Sequence, residues 1–148
     1  MSILFINGSP NPRGNTARLA AQLLAGKPYD TIELGTTKVY DYGQDFDDDQ
    51  FDEVADAMRA ADTIVFGSPL YWHSFSGMLR NLIDHCYGVI DQDFAGKTLW
   101  FVFQGAGPTR EQLAAGEYTI SRFAQLTGMR WGGMVTTAAE AKRASAQV

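Results

Sequence analysis

The chain has 148 residues, 45% of them hydrophobic and 20% charged, which is the composition of one globular domain spanning residues 1–148. A net charge of −5 opposes binding to a nucleic-acid backbone, and no run of Lys or Arg suits an anionic membrane. The single cysteine, Cys86, excludes an internal disulfide and any cysteine cluster for zinc or iron–sulfur, so no metal is expected.

Residues 3–7 open with Ile3, Leu4, Phe5 and Ile6, the unbroken apolar run of a buried strand. The next stretch, Gly8-Ser9-Pro10-Asn11-Pro12-Arg13-Gly14-Asn15-Thr16, leads straight into a helix period over 15–25 carrying Leu19, Leu23 and Leu24. A strand that turns into a helix start gathers free backbone N–H groups at the positive end of a helix dipole, an arrangement that holds phosphate. The spacing is neither G-x-G-x-x-G nor a loop ending in Gly-Lys-Ser/Thr, so the loop is suited to holding a phosphate rather than transferring one. The same residues would also serve an ordinary capped turn.

Residues 31–34 read as a second strand, and the acidic stretch 41–52 as a solvated loop. Residues 50–61 carry Phe51, Val54, Ala55 and Met58 in helix period, followed by a third apolar strand over 63–67. After it comes an aromatic loop, Ser68-Pro69-Leu70-Tyr71-Trp72-His73-Ser74-Phe75, with Trp72 and Phe75 expected near the surface and Ser76 as a helix cap. A helix over 76–87 (Leu79, Leu82, Ile83, Cys86) and a strand over 98–104 follow. The loop Gln104-Gly105-Ala106-Gly107-Pro108 has glycines that allow close approach to a flat ligand. A helix over 111–127, a strand over 129–136 and an Ala-rich tail without large apolar residues complete the chain. The apolar runs are too short to span a bilayer and no basic leader precedes the first strand, so a cytoplasmic location without membrane insertion is expected.

Strict strand–helix alternation with apolar strands predicts a parallel sheet covered on both faces. Five strands in this length fit a three-layer, doubly wound α/β fold of order 2-1-3-4-5. Its ligand would lie at the carboxyl edge, where the phosphate, aromatic and glycine loops converge.

Ser68-Pro69-Leu70-Tyr71-Trp72 followed by Ser76-Gly77-Met78-Leu79-Arg80-Asn81-Leu82-Ile83-Asp84 resembles the NAD(P)H-dependent FMN reductase and quinone reductase branch of the flavodoxin-like superfamily. The loop from Gly8 to Thr16 is similar to that family's phosphate loop, and the resemblance spans residues 3–137. It implies FMN as cofactor and NADPH or NADH as co-substrate. By the same resemblance Ser9, Asn15 and Thr16 hold the phosphate, with Arg13 a further candidate. Pro69, Leu70, Tyr71 and Trp72 line the ribityl chain and ring, and Gln104, Gly105 and Gly107 meet its pyrimidine edge. Tyr71, Trp72 and His73 are candidate contacts to a small acceptor, a quinone or free flavin. Arg13 and Arg110 are candidate partners for a 2′-phosphate. Relatives of this kind close the flavin site against a second subunit, implying a homodimer or a dimer of dimers. Two departures stand out. The four-cysteine insertion of iron–sulfur flavoproteins is absent, and Gln-Gly-Ala-Gly replaces the commoner Thr-Gly-Gly loop. Two other readings stay open: a flavodoxin-type electron carrier, and a regulatory flavoprotein that docks on a partner.

Overall fold

The computed structural model describes residues 1–148. Its strands are β1 (Ile3–Asn7), β2 (Asp30–Glu33), β3 (Thr63–Tyr71), β4 (Ser74–Phe75), β5 (Thr98–Gln104) and β6 (Arg130–Val135). Its α-helices are α1 (Asn15–Leu23), α2 (Phe51–Ala60), α3 (Gly77–His85), α4 (Arg110–Leu126) and α5 (Ala138–Ala144). The sheet runs β2-β1-β3-β5-β6, all parallel, and the two-residue β4 pairs antiparallel with β3. With β4 set aside, this is the expected flavodoxin-like order.

The apolar strands owe their continuity to burial on both faces. Leu4, Ile6, Ile64, Phe66, Leu99, Phe101 and Phe103 point into one core, closed by α2, α3 and α4. Ile3, Phe5, Val65, Trp100 and Val102 point into the other, closed by α1 and α5. Fully burying each large side chain stabilises the fold by about 1.5–3 kcal/mol relative to leaving it exposed. Cys86 belongs to the first core, where burial pushes its thiol up to about 12. It is protonated at neutral pH and serves packing.

The structure corrects three expectations. The third strand does not stop at residue 67; it continues to Tyr71 and folds back through β4 as a hairpin. Phe75 is buried, its ring edge-on to Phe101 at 6.3 Å between centroids, so of the two expected surface aromatics only Trp72 is exposed. The Ala-rich tail does dock, because the small Ala141 packs fully buried against the core shared with α1. That last helix is started by Thr137, whose hydroxyl accepts from the Glu140 N–H at 3.2 Å. No helix is long and apolar enough to cross a membrane.

Candidate flavin site at the carboxyl edge of the sheet

The loop between β1 and α1 is shaped by its own short side chains. Buried Asn7 accepts from the Ser9 N–H at 3.1 Å and donates to the Glu33 carboxylate at 2.8 Å, tying the loop to β2. The Ser9 hydroxyl accepts from the Asn11 N–H, and Asn11 Oδ1 from the Arg13 N–H. These are successive side-chain turns that hold the backbone away from helix geometry until residue 14. Asn7, Asn11 and Glu33 shape this loop and were not singled out by the motif; the Asn-rich turn was their only signal.

At the start of α1 the amides of Asn15, Thr16 and Ala17 have no acceptor in the protein. The other helices either have a side-chain cap or place an acidic residue in the first turn; α1 alone has neither. Nothing there competes with a bound anion, and Arg13 stands exposed on the adjoining turn. Thr16 is buried, and its hydroxyl accepts from Gln104 Nε2 at 3.2 Å, leaving its own proton free to donate. Gln104 thus joins the first loop to the third. Asn15 is exposed and accepts from Arg18 at 3.1 Å.

The second loop is the hairpin. Leu70 pairs with Phe75 and Tyr71 with Ser74, leaving Trp72 and His73 as the two-residue tip. Both tip residues have positive φ, 46° and 70°, in a turn that ordinarily takes Asn-Gly. Such non-glycine strain is typical of functional sites. Trp72 is 94% exposed, Tyr71 is exposed, Leu70 is half-buried and Pro69 is buried opposite Gln104. The hairpin base is clamped by Ser68, whose hydroxyl accepts from the Ser76 N–H at 2.8 Å. Ser76 in turn caps α3 as expected, accepting from Leu79 N–H at 3.3 Å.

The third loop lies against the second. A Cβ on Gly105 would meet the Leu70 Cβ at 2.9 Å, so only glycine allows that approach, and Gly107 has φ +64°. Beyond it Thr109 and Gln112 form a capping box at the start of α4, and Gln112 also reaches His73 at the hairpin tip. All the sequence-predicted site residues therefore sit on one edge, with Arg110 at the first position of α4. An apolar depression of about 730 Å³ lies elsewhere, between α3 and α4, with Tyr42, Tyr87, Tyr118 and Leu126 among its walls. The carboxyl edge is the better candidate because its free donors, aromatic hairpin and close-packed glycine loop match a ligand that is anionic at one end and flat at the other.

The chain is 31% identical over 98 residues to an iron-sulfur flavoprotein of Methanocaldococcus jannaschii, covering 57% of this chain and 51% of that protein. It spans about half the length of the curated relatives that it matches. Among solved structures, the Trp repressor binding protein from Bacillus subtilis superposes with a TM-score of 0.78 at 20% identity, over 97% of this chain and 96% of that one. The FMN-dependent NADH-azoreductase of Bacillus anthracis, in complex with FMN, gives 0.71 at 13% identity, over 99% and 95%. These two likenesses establish the fold. The model of the NADPH-dependent FMN reductase family matches residues 1–140, nearly the whole chain, and with that match the chain belongs to this family.

Proposed function

We propose that the chain binds one FMN at the carboxyl edge and uses it to pass reducing equivalents from NADPH or NADH to a small acceptor. The observation that carries this reading is the trio of unpartnered amides at Asn15, Thr16 and Ala17 beside the aromatic hairpin. The phosphate is held by those amides and by the hydroxyls of Ser9 and Thr16, with Asn15 and Arg13 at the rim. Pro69, Leu70, Tyr71 and Trp72 border the ribityl chain and ring, while Gln104, Gly105 and Gly107 face the pyrimidine edge. FMN ends in the single phosphate that such a helix start can cap, which favours it over FAD.

Bound FMN supplies the hydride chemistry, and the protein positions the reactants and tunes the ring. The residues of this edge supply orientation and backbone donors; no acid–base pair is required of them. Purified protein should be yellow and release FMN in a one-to-one ratio, and should oxidise NAD(P)H steadily with a quinone acceptor. Protein that stays colourless and fails to bind added FMN overturns the reading.

Trp72 is the proposed wall of the acceptor site, because a large exposed ring on a strained tip can border a second flat molecule. Trp72→Ala should raise KM for bulky quinones or change the order of acceptor preference, with little loss of FMN. If nicotinamide and acceptor use one open side in turn, double-reciprocal plots run parallel. Intersecting lines rule out a shared side, and an unchanged acceptor profile removes Trp72 from the site.

We further propose a homodimer, or a dimer of dimers, that buries the exposed rings of Tyr71 and Trp72 beside the flavin. Light scattering at micromolar concentration should give at least twice the 16.3 kDa chain mass. A monomer there removes the assembly proposal and leaves the cofactor proposal standing.

A further inference from the structure

The cap of α4 touches the hairpin tip through Gln112. Gln112 Oε1 accepts from the Thr109 N–H at 2.9 Å, and the Thr109 hydroxyl accepts from the Gln112 N–H at 3.2 Å. An amide whose oxygen is committed to a backbone N–H must present its NH₂ in the other direction. In this protein that NH₂ meets His73 Nδ1. Nδ1 therefore accepts, and in the neutral ring the proton sits on Nε2, which has no partner in the protein.

We propose that Gln112 is a positioning residue that holds His73 as the Nε2–H tautomer, and that this N–H donates a hydrogen bond to a carbonyl oxygen of a quinone-type acceptor. The acceptor part rests on the flavin reading of this edge; the tautomer part does not. A quinone oxygen gains negative charge as the molecule is reduced, so an unpartnered donor on the exposed hairpin tip stabilises that change. The helix cap orients the amide, the amide orients the imidazole, and the imidazole's remaining nitrogen is left without a partner in the protein.

The test is Gln112→Glu. Glutamate is the other residue that completes a capping box, so the start of α4 is preserved. Its second carboxylate oxygen can only accept, which reverses the demand on Nδ1. Recording at alkaline pH compares the two neutral tautomers of the ring. Long-range ¹H–¹⁵N spectra read the tautomer directly, and with only two histidines in the chain, His73→Asn identifies the signals. The parent should show a protonated Nε2 and a bare Nδ1, and Gln112→Glu the reverse. KM for a benzoquinone should then rise about five- to tenfold in Gln112→Glu, the effect of one lost hydrogen bond, and similarly in His73→Asn. A parent ring protonated on Nδ1, or an even mixture, overturns the assignment. A tautomer that flips with no change in quinone KM overturns the acceptor contact. Failure of the parent to reduce any quinone removes the functional reading and the acceptor contact together, while the tautomer is still read without any acceptor present.

Discussion

Thr16→Ala is expected to weaken FMN binding by about 1.5–3 kcal/mol, roughly ten- to 150-fold in Kd, the effect of losing one hydrogen bond to a charged group. Thr16 lies at the second position of α1, buried, between the unpartnered amides and Gln104. Its hydroxyl already accepts from Gln104, so the one proton it holds is the proton a phosphate oxygen would take. The substitution also leaves the Gln104 amide without its acceptor, loosening the link between the first and third loops. Helix propensity favours Ala over Thr, so α1 itself should persist. Quenching of FMN fluorescence on titration measures the effect. A Kd equal to that of the parent would move the phosphate away from α1.

How much of this site was legible in the chain depended on which physics each part uses. The strands were readable because burial on both faces demands unbroken apolar runs such as Thr98–Gln104, and this strand matches its expected bounds. The helices were readable from their buried stripes: Phe51, Val54, Ala55 and Met58 are all buried as the spacing requires. The turn between β1 and α1 was visible because a strand leading into a helix start is a local arrangement. The hairpin was not visible. Its turn takes positive φ at Trp72 and His73, whereas the sequence signal for that turn is Asn-Gly. Phe75 was misplaced for the same reason, since pairing with Leu70 is what turns it toward Phe101. The contacts of Gln104 with Thr16 and of Gln112 with His73 cross 88 and 39 residues of chain, beyond the reach of any local pattern.

Gly67→Ala should cost about 1–3 kcal/mol of stability, as overpacking of a filled core does, and should lower FMN affinity as well. Gly67 stands in β3 where a Cβ would lie 2.6 Å from the Phe5 ring and 2.8 Å from the Thr16 methyl. Neither neighbour can yield freely. Phe5 is 2% exposed inside the core shared with α1, and Thr16 is fixed by its bond to Gln104. Strand β3 cannot retreat either, because it is paired on both sides from Thr63 through Gly67, to β1 and to β5. The Gly67 carbonyl also accepts the Gly8 N–H at 2.7 Å, so any displacement passes to the first residue of the loop between β1 and α1. A melting temperature lower by roughly 2–12 °C is expected, following the usual 2–4 °C per kcal/mol for a chain of this size. Gly77→Ala is the matched control: a Cβ there meets nothing within 4 Å, and Ala favours the helix that Gly77 begins. It should leave melting unchanged or raise it. The difference between the two glycines isolates the effect of crowding from that of adding a methyl group. If Gly67→Ala melts with the parent and binds FMN as tightly, β3 and α1 are not in the close contact on which the placement of Thr16 depends.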